Sequence, residues 1–295
     1  MTTRDLGITF AGGGNRAFYQ LGLLNRWGDW LLPRVAAVAT CSAGACVVLM
    51  YLTARRAEAR TVFQARTRGL VRNLDWRRVL RGERLAPHGD IYRDILDAMF
   101  ADGGFERVRE QAFPVYVLAS AFPERLPGAV ATTMGIAAYQ AEKAMRRGLL
   151  HPTFGRALGF EPLVVDARTC ETADELTSLV MASSATPPFT PLGLFRARRL
   201  LDGGMIDNAP AFVAEAEPAV RRNLVILTRP YPPGVIGRQG NRLYLAPTAQ
   251  PPVSRWDYTQ PHLLEDTVDM GEQEADVHRP AVEAFLDEEG LGPGV

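Results

Sequence analysis

The chain has 295 residues, of which 47% are apolar and 22% charged, proportions suited to a globular enzyme with a substantial core. Basic and acidic residues balance at 33 each, so the formal net charge is +0, which argues against a globally basic nucleic-acid binder and leaves room only for local patches. Cys41, Cys46 and Cys170 make an odd count and His88, His151, His262 and His278 are scattered, so neither a disulfide framework nor a metal site is expected. The start MTTRDLGITF carries Asp5 and has no apolar run of signal-peptide length, so a cytoplasmic location is expected.

In chain order, Leu6 to Phe10 is a β-prone run ending in Ala11-Gly12-Gly13-Gly14, and Ala17 to Trp30 carries helical apolar spacing. Val35 to Ala39 reads as a second buried strand and Ala43 to Arg56 as an apolar helix. Together these segments form a parallel βαβ unit. The uncharged stretch Val35 to Ala54 is long enough to cross a bilayer as a helix. The small polar residues at Thr40 to Gly44 interrupt it, however, and suit a strand, a tight turn and a buried helix better.

Residues 55–84 carry ten arginines against Glu58, Asp75 and Glu83, in a chain whose only lysine is Lys143. A solvated helical face is the plain reading and docking to anionic lipid headgroups the sharper one. Val115 to Ser120 reads as a strand, Ile136 to Gly148 as a helix, and Asp174 to Ser183 as a helix stopped by Pro187 and Pro188. Ala197 to Leu201 runs as a strand into Asp202-Gly203-Gly204, and Asn223 to Thr228 is expected to be the final core strand. Beyond Arg229 the sequence turns proline-rich and then acidic, as a tail packed on the domain.

Three short motifs carry chemistry. Gly12-Gly13-Gly14-Asn15-Arg16 sits where a strand hands over to a helix, and bare backbone N–H groups there can hold an anion or a developing oxyanion. The same turn fits the dinucleotide fingerprint, but the second strand ends in Thr40 and Cys41 rather than an acid for the ribose. Thr40-Cys41-Ser42-Ala43-Gly44 approximates the Gly-x-Ser-x-Gly nucleophile elbow, although a serine there is also an ordinary helix cap. Asp202-Gly203-Gly204 places an acid at a strand end, which alone is equally an ordinary turn. A Ser42, Asp202, His262 or His278 order would suit an α/β-hydrolase, but that fold needs more strands before the elbow than fit ahead of Ser42.

Taken together, the Gly12–Arg16 turn, the Thr40–Gly44 elbow, Asp202–Gly204, the run Ala182 to Phe189 and Asn208-x-Pro210 resemble the patatin-like phospholipase family over about residues 5–230. The resemblance implies a three-layer α/β/α fold with a mostly parallel sheet and a histidine-free dyad. In it Ser42 is the nucleophile, Asp202 the base, and Gly12, Gly13 and Gly14 form the oxyanion hole. Asn15, Arg16, Thr40, Gly44, Gly203 and Gly204 support them, with no metal or cofactor. Thr40 departs from the family's first elbow glycine, and Ala17 from the glycine that commonly follows the arginine. A β-branched Thr40 is expected to reshape the elbow or narrow the acyl entrance.

The implied activity is hydrolysis of lipid acyl esters through an acyl-serine. An acyltransferase on the same dyad and a non-catalytic dinucleotide-binding module are the alternatives. Residues 5–230 are expected to form the hydrolase domain, 55–110 a lid or membrane-facing helical segment, and 231–295 the tail. The expected partners are a lipid or other acyl ester and an anionic membrane surface through 55–84, without nucleic acid.

Overall fold

The fold, obtained as a computed structural model, describes residues 4–123, 133, 150, 151 and 154–287. Leu6–Phe10 (β1), wholly buried, leads through a short 3-10 turn at Gly14–Ala17 into α1 (Phe18–Leu31). Val35–Cys41 (β2), also wholly buried, leads directly into α2 (Ala43–Leu52). The helix expected over 43–56 is therefore broken. Ala54 takes φ +53, and the chain restarts as α3 (Arg56–Thr67), followed by α4 (Trp76–Leu80), α5 (His88–Phe100) and α6 (Gly104–Arg109). No glycine or proline marks that break.

After β3 (Val115–Ala121) the described chain resumes with α7 (Phe154–Ala157), β4 (Glu161–Asp166) and α8 (Ala173–Ser183). The helix expected over 136–148 lies outside the described residues. The hairpin β5 (Gly193–Phe195) and β6 (Arg198–Asp202) precedes α9 (Ala211–Glu215) and β7 (Arg222–Ile226). The sheet does not end there. β8 (Gly237–Gln239) and β9 (Arg242–Leu245) follow, and β9 pairs in parallel with β7. The expectation that Asn223 to Thr228 is the last core strand is thus corrected.

Among the described residues the strands form one nine-stranded mixed sheet. Its centre, in the order β3-β2-β1-β7-β9, is parallel throughout, and antiparallel strands lie outside it. The alternation of side chains sends Leu6, Ile8 and Phe10 to one face, under α1, α2, α5 and α8. Ala37 and Ala39 meet Val213 and Ala214 of α9 on the other. The layers are therefore helix, sheet, helix.

A long helix, α10 (His262–Asp287), packs along α1, where Tyr19 donates its hydroxyl hydrogen bond to Glu274 at 2.8 Å. Its first turn also reaches α3, with Glu265 paired to Arg56 at 3.0 Å and to Arg60 at 3.2 Å. Among the described residues no helix is long and apolar enough to cross a membrane, and the uncharged run from Val35 is divided between β2 and α2.

One topological detail places the site. Strand β3 has two hydrogen-bonding edges, and β4 occupies one of them from Tyr116 to Ala121. On the other edge β2 pairs only as far as Cys41 opposite Leu118, and β6 takes over at the next position, with Asp202 opposite Ala119. The chain leaving the sheet at Ser42 and the chain entering it at Asp202 therefore meet end to end on the same edge.

Candidate active site

Ser42 sits between β2 and α2 with φ +53 and ψ −131, backbone angles that a non-glycine residue rarely adopts and that cost about 1–3 kcal/mol. Two contacts hold this turn. Its N–H donates to Ser183 Oγ at 2.8 Å, and Ser183 donates in turn to the Leu118 carbonyl at 2.6 Å. Gly44 allows α2 to start flush against the end of β1, since a Cβ there would lie 2.6 Å from the Phe10 carbonyl oxygen.

Ser42 Oγ donates to Asp202 Oδ2 at 2.6 Å. The carboxylate is fixed on its other side, where Oδ1 accepts the Gly204 N–H at 2.7 Å, and Thr186 Oγ1 stands 3.3 Å from Oδ2. Burial pushes the Asp202 carboxyl above its ordinary range, opposed by the hydrogen bonds from Ser42, Gly204 and Thr186 and by the Arg255 charge. The result is a carboxylate more basic than an exposed one, in contact with a serine hydroxyl.

The glycine turn lies beside this pair, because β1 and β2 are neighbouring parallel strands whose carboxyl ends coincide. The Gly12 carbonyl is gripped by Asn208 Nδ2 and Thr228 Oγ1, both at 3.0 Å. The Gly12 N–H is already given to the Asn208 carbonyl at 2.9 Å, so it is not a spare donor. The N–H groups of Gly13 and Gly14 have no acceptor among the described residues. Gly14 takes φ +57, open to glycine at no steric cost. Of the supporting residues, Asn15 Nδ2 donates to the Asp257 carbonyl at 2.8 Å, and Arg16 Nε reaches the Gly13 carbonyl at 3.5 Å, the outer limit of a hydrogen bond.

No histidine joins the pair. His262 is exposed at the start of α10, and His278 is bonded to the Tyr19 hydroxyl at 3.0 Å. A serine held on a strained turn against a basic carboxylate, with two unused N–H groups alongside, can attack a carbonyl carbon and stabilise the oxyanion that forms.

The patatin-like phospholipase family model matches residues 8–215. The chain belongs to the patatin-like phospholipase family. Membership supports lipid acyl hydrolysis as the general class of activity. No curated protein matches the chain. Among solved structures, VipD from Legionella pneumophila is similar at 14% identity and a TM-score of 0.43, over 94% of this chain and 67% of that one. The human GIVD cytosolic phospholipase A2 is similar at 12% identity and a TM-score of 0.45, over 97% of this chain and 63% of that one. The chain thus spans about two thirds of the length of each.

Within this patatin-like chain two clefts meet at Ser42. One, of about 950 Å³ including its mouth, runs from Ser42 and Gly14 between α2, α3 and α5, and its walls include Cys46, Phe63, Tyr92, Ile95 and Leu264. The other, of about 910 Å³, shares Ser42, Gly14 and Trp256 with the first and is walled by Asp202, Arg255 and the segment around cis Pro188. Trp256 stacks on Phe189 at 4.8 Å on their common border.

Thr40 lines neither cleft. It is fully buried and its hydroxyl donates to the Tyr116 carbonyl at 2.9 Å, so the expected narrowing of the acyl entrance does not occur. Thr40→Gly is expected to destabilise the protein by about 1–2 kcal/mol, through a lost buried hydrogen bond and added unfolded-state freedom, without raising turnover. Urea unfolding alongside an ester assay checks this, and a faster, equally stable variant would show that Thr40 does obstruct the site.

Sequence reasoning missed the contributions of Ser183, Thr228, Arg255 and Trp256. The run Ala182 to Phe189 held a signal for the first. Nothing local marks the others, which come to the site only through the sheet and the chain beyond it.

Proposed function

We propose that the protein cleaves carboxylic esters of lipids through an acyl-serine, with Ser42 as nucleophile and Asp202 as the base. The observation that carries this reading is the 2.6 Å contact between Ser42 Oγ and Asp202 Oδ2 on a strained strand-to-helix turn. As Ser42 Oγ bonds to the ester carbon, its proton passes to Asp202 Oδ2. The carbonyl oxygen becomes an oxyanion facing the Gly13 and Gly14 N–H groups, and collapse expels the alcohol, which takes the proton from Asp202. Water then attacks the acyl-serine, gives a proton to Asp202, and releases the acid as that proton returns to Ser42. Every proton is accounted for within the dyad, without a cofactor.

The apolar cleft between α2, α3 and α5 suits an acyl chain. In this reading residues 5–230 carry the dyad, side chains of 55–110 line the acyl cleft, and Arg255, Trp256 and Leu264 of the following segment add to the walls of the two clefts. Release of free fatty acid from a phospholipid or lysophospholipid, measured with and without added alcohol, tests the reaction class. Acyl transfer to the alcohol with no release in water would make the protein a transferase, and neither product would refute the proposal.

The surface of 55–84 supports peripheral binding to anionic lipid. Val71, Trp76 and Leu80 are 83%, 73% and 88% exposed, and Leu74 and Val79 are exposed beside them. Around them the exposed Arg68, Arg72, Arg77 and Arg84 have no ion-pair partner among the described residues. Apolar side chains ringed by free guanidinium groups fit the boundary between acyl chains and anionic headgroups, where each arginine contributes about 1 kcal/mol. Trp76→Ser with Leu80→Ser, and separately Arg72→Glu, are expected to lower co-sedimentation with phosphatidylserine vesicles. High salt should weaken binding of the wild type. Vesicle binding indifferent to salt and to both variants would rule this surface out.

A further inference from the structure

The glycine turn is held from behind by the segment that follows Asp202. The Gly12 carbonyl and the Gly13 N–H belong to one planar trans peptide and point in opposite directions, so whatever grips the first aims the second. Asn208 grips Gly12 twice, accepting its N–H at 2.9 Å and donating from Nδ2 to its carbonyl at 3.0 Å. The same segment orients the base, since the Gly204 N–H donates to Asp202 Oδ1 at 2.7 Å. Its shape therefore sets Asp202 and the Gly13 donor together.

Asp207, buried and immediately before Asn208, fixes that shape. Its N–H donates to the Gly203 carbonyl at 3.0 Å, and its Oδ1 accepts the Ala209 N–H at 2.9 Å, a turn closed across Asn208. From outside, His151 Nδ1 lies 2.9 Å from both carboxylate oxygens. Facing a carboxylate, which accepts, Nδ1 is the donor.

His151 is itself anchored to the sheet. Its Nε2 stands 3.4 Å from the Tyr244 hydroxyl, which accepts from Arg242 at 3.0 Å, and Arg242 is paired with Glu215 of α9 at 2.5 Å. The adjoining Leu150 is buried in one cluster with Ala11, Ala209 and Tyr244. Neither His151 nor Asp207 lines a cleft at Ser42, and neither bonds to Ser42 or Asp202 among the described residues.

We infer that His151 is a positioning residue for the acyl-ester reaction: its bond to Asp207 keeps Asn208 on Gly12 and so keeps the Gly13 N–H directed at the oxyanion. This rests on the proposed hydrolase reading and adds a residue to it. Without His151 the Asp207 carboxylate keeps the Ala209 N–H as its donor among the described residues. A buried carboxylate short of donors regains hydration by moving outward, and Asn208 moves with it.

The test measures kcat, KM and urea unfolding of the full chain on a soluble short-chain ester. The His151 side chain is 40% exposed, so its removal leaves the core intact. His151→Ala is expected to lower kcat by about 10–100-fold, the cost of a displaced donor, with KM within about two-fold of the wild type. His151→Asn places an amide N–H where Nδ1 was and should recover most of the loss. In an Asn208→Ala background the further change His151→Ala should cost no more than about two-fold, because its route to Gly12 is already cut.

An alanine variant with wild-type kcat, or an asparagine variant as slow as alanine, overturns the inference. So does a full additional loss in the Asn208→Ala background, which would mean that His151 acts by another route. A lower urea midpoint with kcat per folded molecule unchanged would make His151 a purely structural residue and also overturn it. An active wild type indifferent to His151 leaves the hydrolase reading standing, whereas a wild type that hydrolyses no ester removes both.

Discussion

Ser42→Ala is expected to lower kcat/KM on a soluble ester by roughly 10⁴-fold or more, and Asp202→Asn by a similar order, with the double variant little worse than either, because the two act as one unit. The structural reason is the contact of 2.6 Å between them and the absence of a histidine at either residue. Asparagine in place of Asp202 can still accept the Gly204 N–H, so the fold is kept while the proton acceptor is lost.

The same carboxylate sets the pH dependence. Burial raises the Asp202 pKa above its ordinary 3.8, and in the proposed reaction the ionised form is the base, so kcat/KM should rise with pH through a value above 3.8 and fall on acidification. For stability the sign is opposite. A carboxyl whose folded pKa is raised contributes most below its unfolded pKa, and that contribution is lost as pH rises through the folded value. Asp202→Asn is therefore expected to melt higher than the wild type at neutral pH while being inactive. Thermal unfolding of both proteins across pH 4–8 reads this, and an asparagine variant that melts lower throughout would mean that the hydrogen bonds of the carboxylate outweigh its burial.

The second large effect is expected at the glycine turn. Gly14 holds φ +57, and a Cβ there would lie 2.3 Å from the Arg255 carbonyl oxygen. Gly14→Ala must shift that backbone, and with it the N–H groups of Gly13 and Gly14. A misplaced oxyanion donor costs about 10²–10³-fold in kcat. Steady-state kinetics on a short-chain ester, with circular dichroism to confirm folding, measures it. A folded variant within a few-fold of wild-type kcat would show that the oxyanion is held elsewhere.

Much of this site was legible in the sequence because its two halves are local. A five-residue apolar strand followed by three glycines, and a strand running into Thr40-Cys41-Ser42-Ala43-Gly44, each encode a turn within a few residues. The pairing of Ser42 with Asp202 was not local. Asp202 alone read equally well as a turn, and the two residues meet only because β6 continues the edge of β3 that β2 leaves.

What the sequence concealed has the same physical cause. Ala54 breaks the helix after α2 in a left-handed conformation that no glycine announces. The short strand β9 is hidden among prolines and is recognisable only through its pairing with β7. The glycine run marks Gly12 as a third donor, but its N–H is committed to the Asn208 carbonyl, a partner far away in the sequence. Arg255 and Trp256 lie in a segment read as peripheral, yet they wall the second cleft.

Reaction with a fluorophosphonate, read by intact and peptide mass, tests the central claim most directly. A single adduct on Ser42, absent in Ser42→Ala and strongly slowed in Asp202→Asn, is the predicted result. Labelling at another serine, or an unchanged labelling rate in Asp202→Asn, would contradict a Ser42–Asp202 dyad.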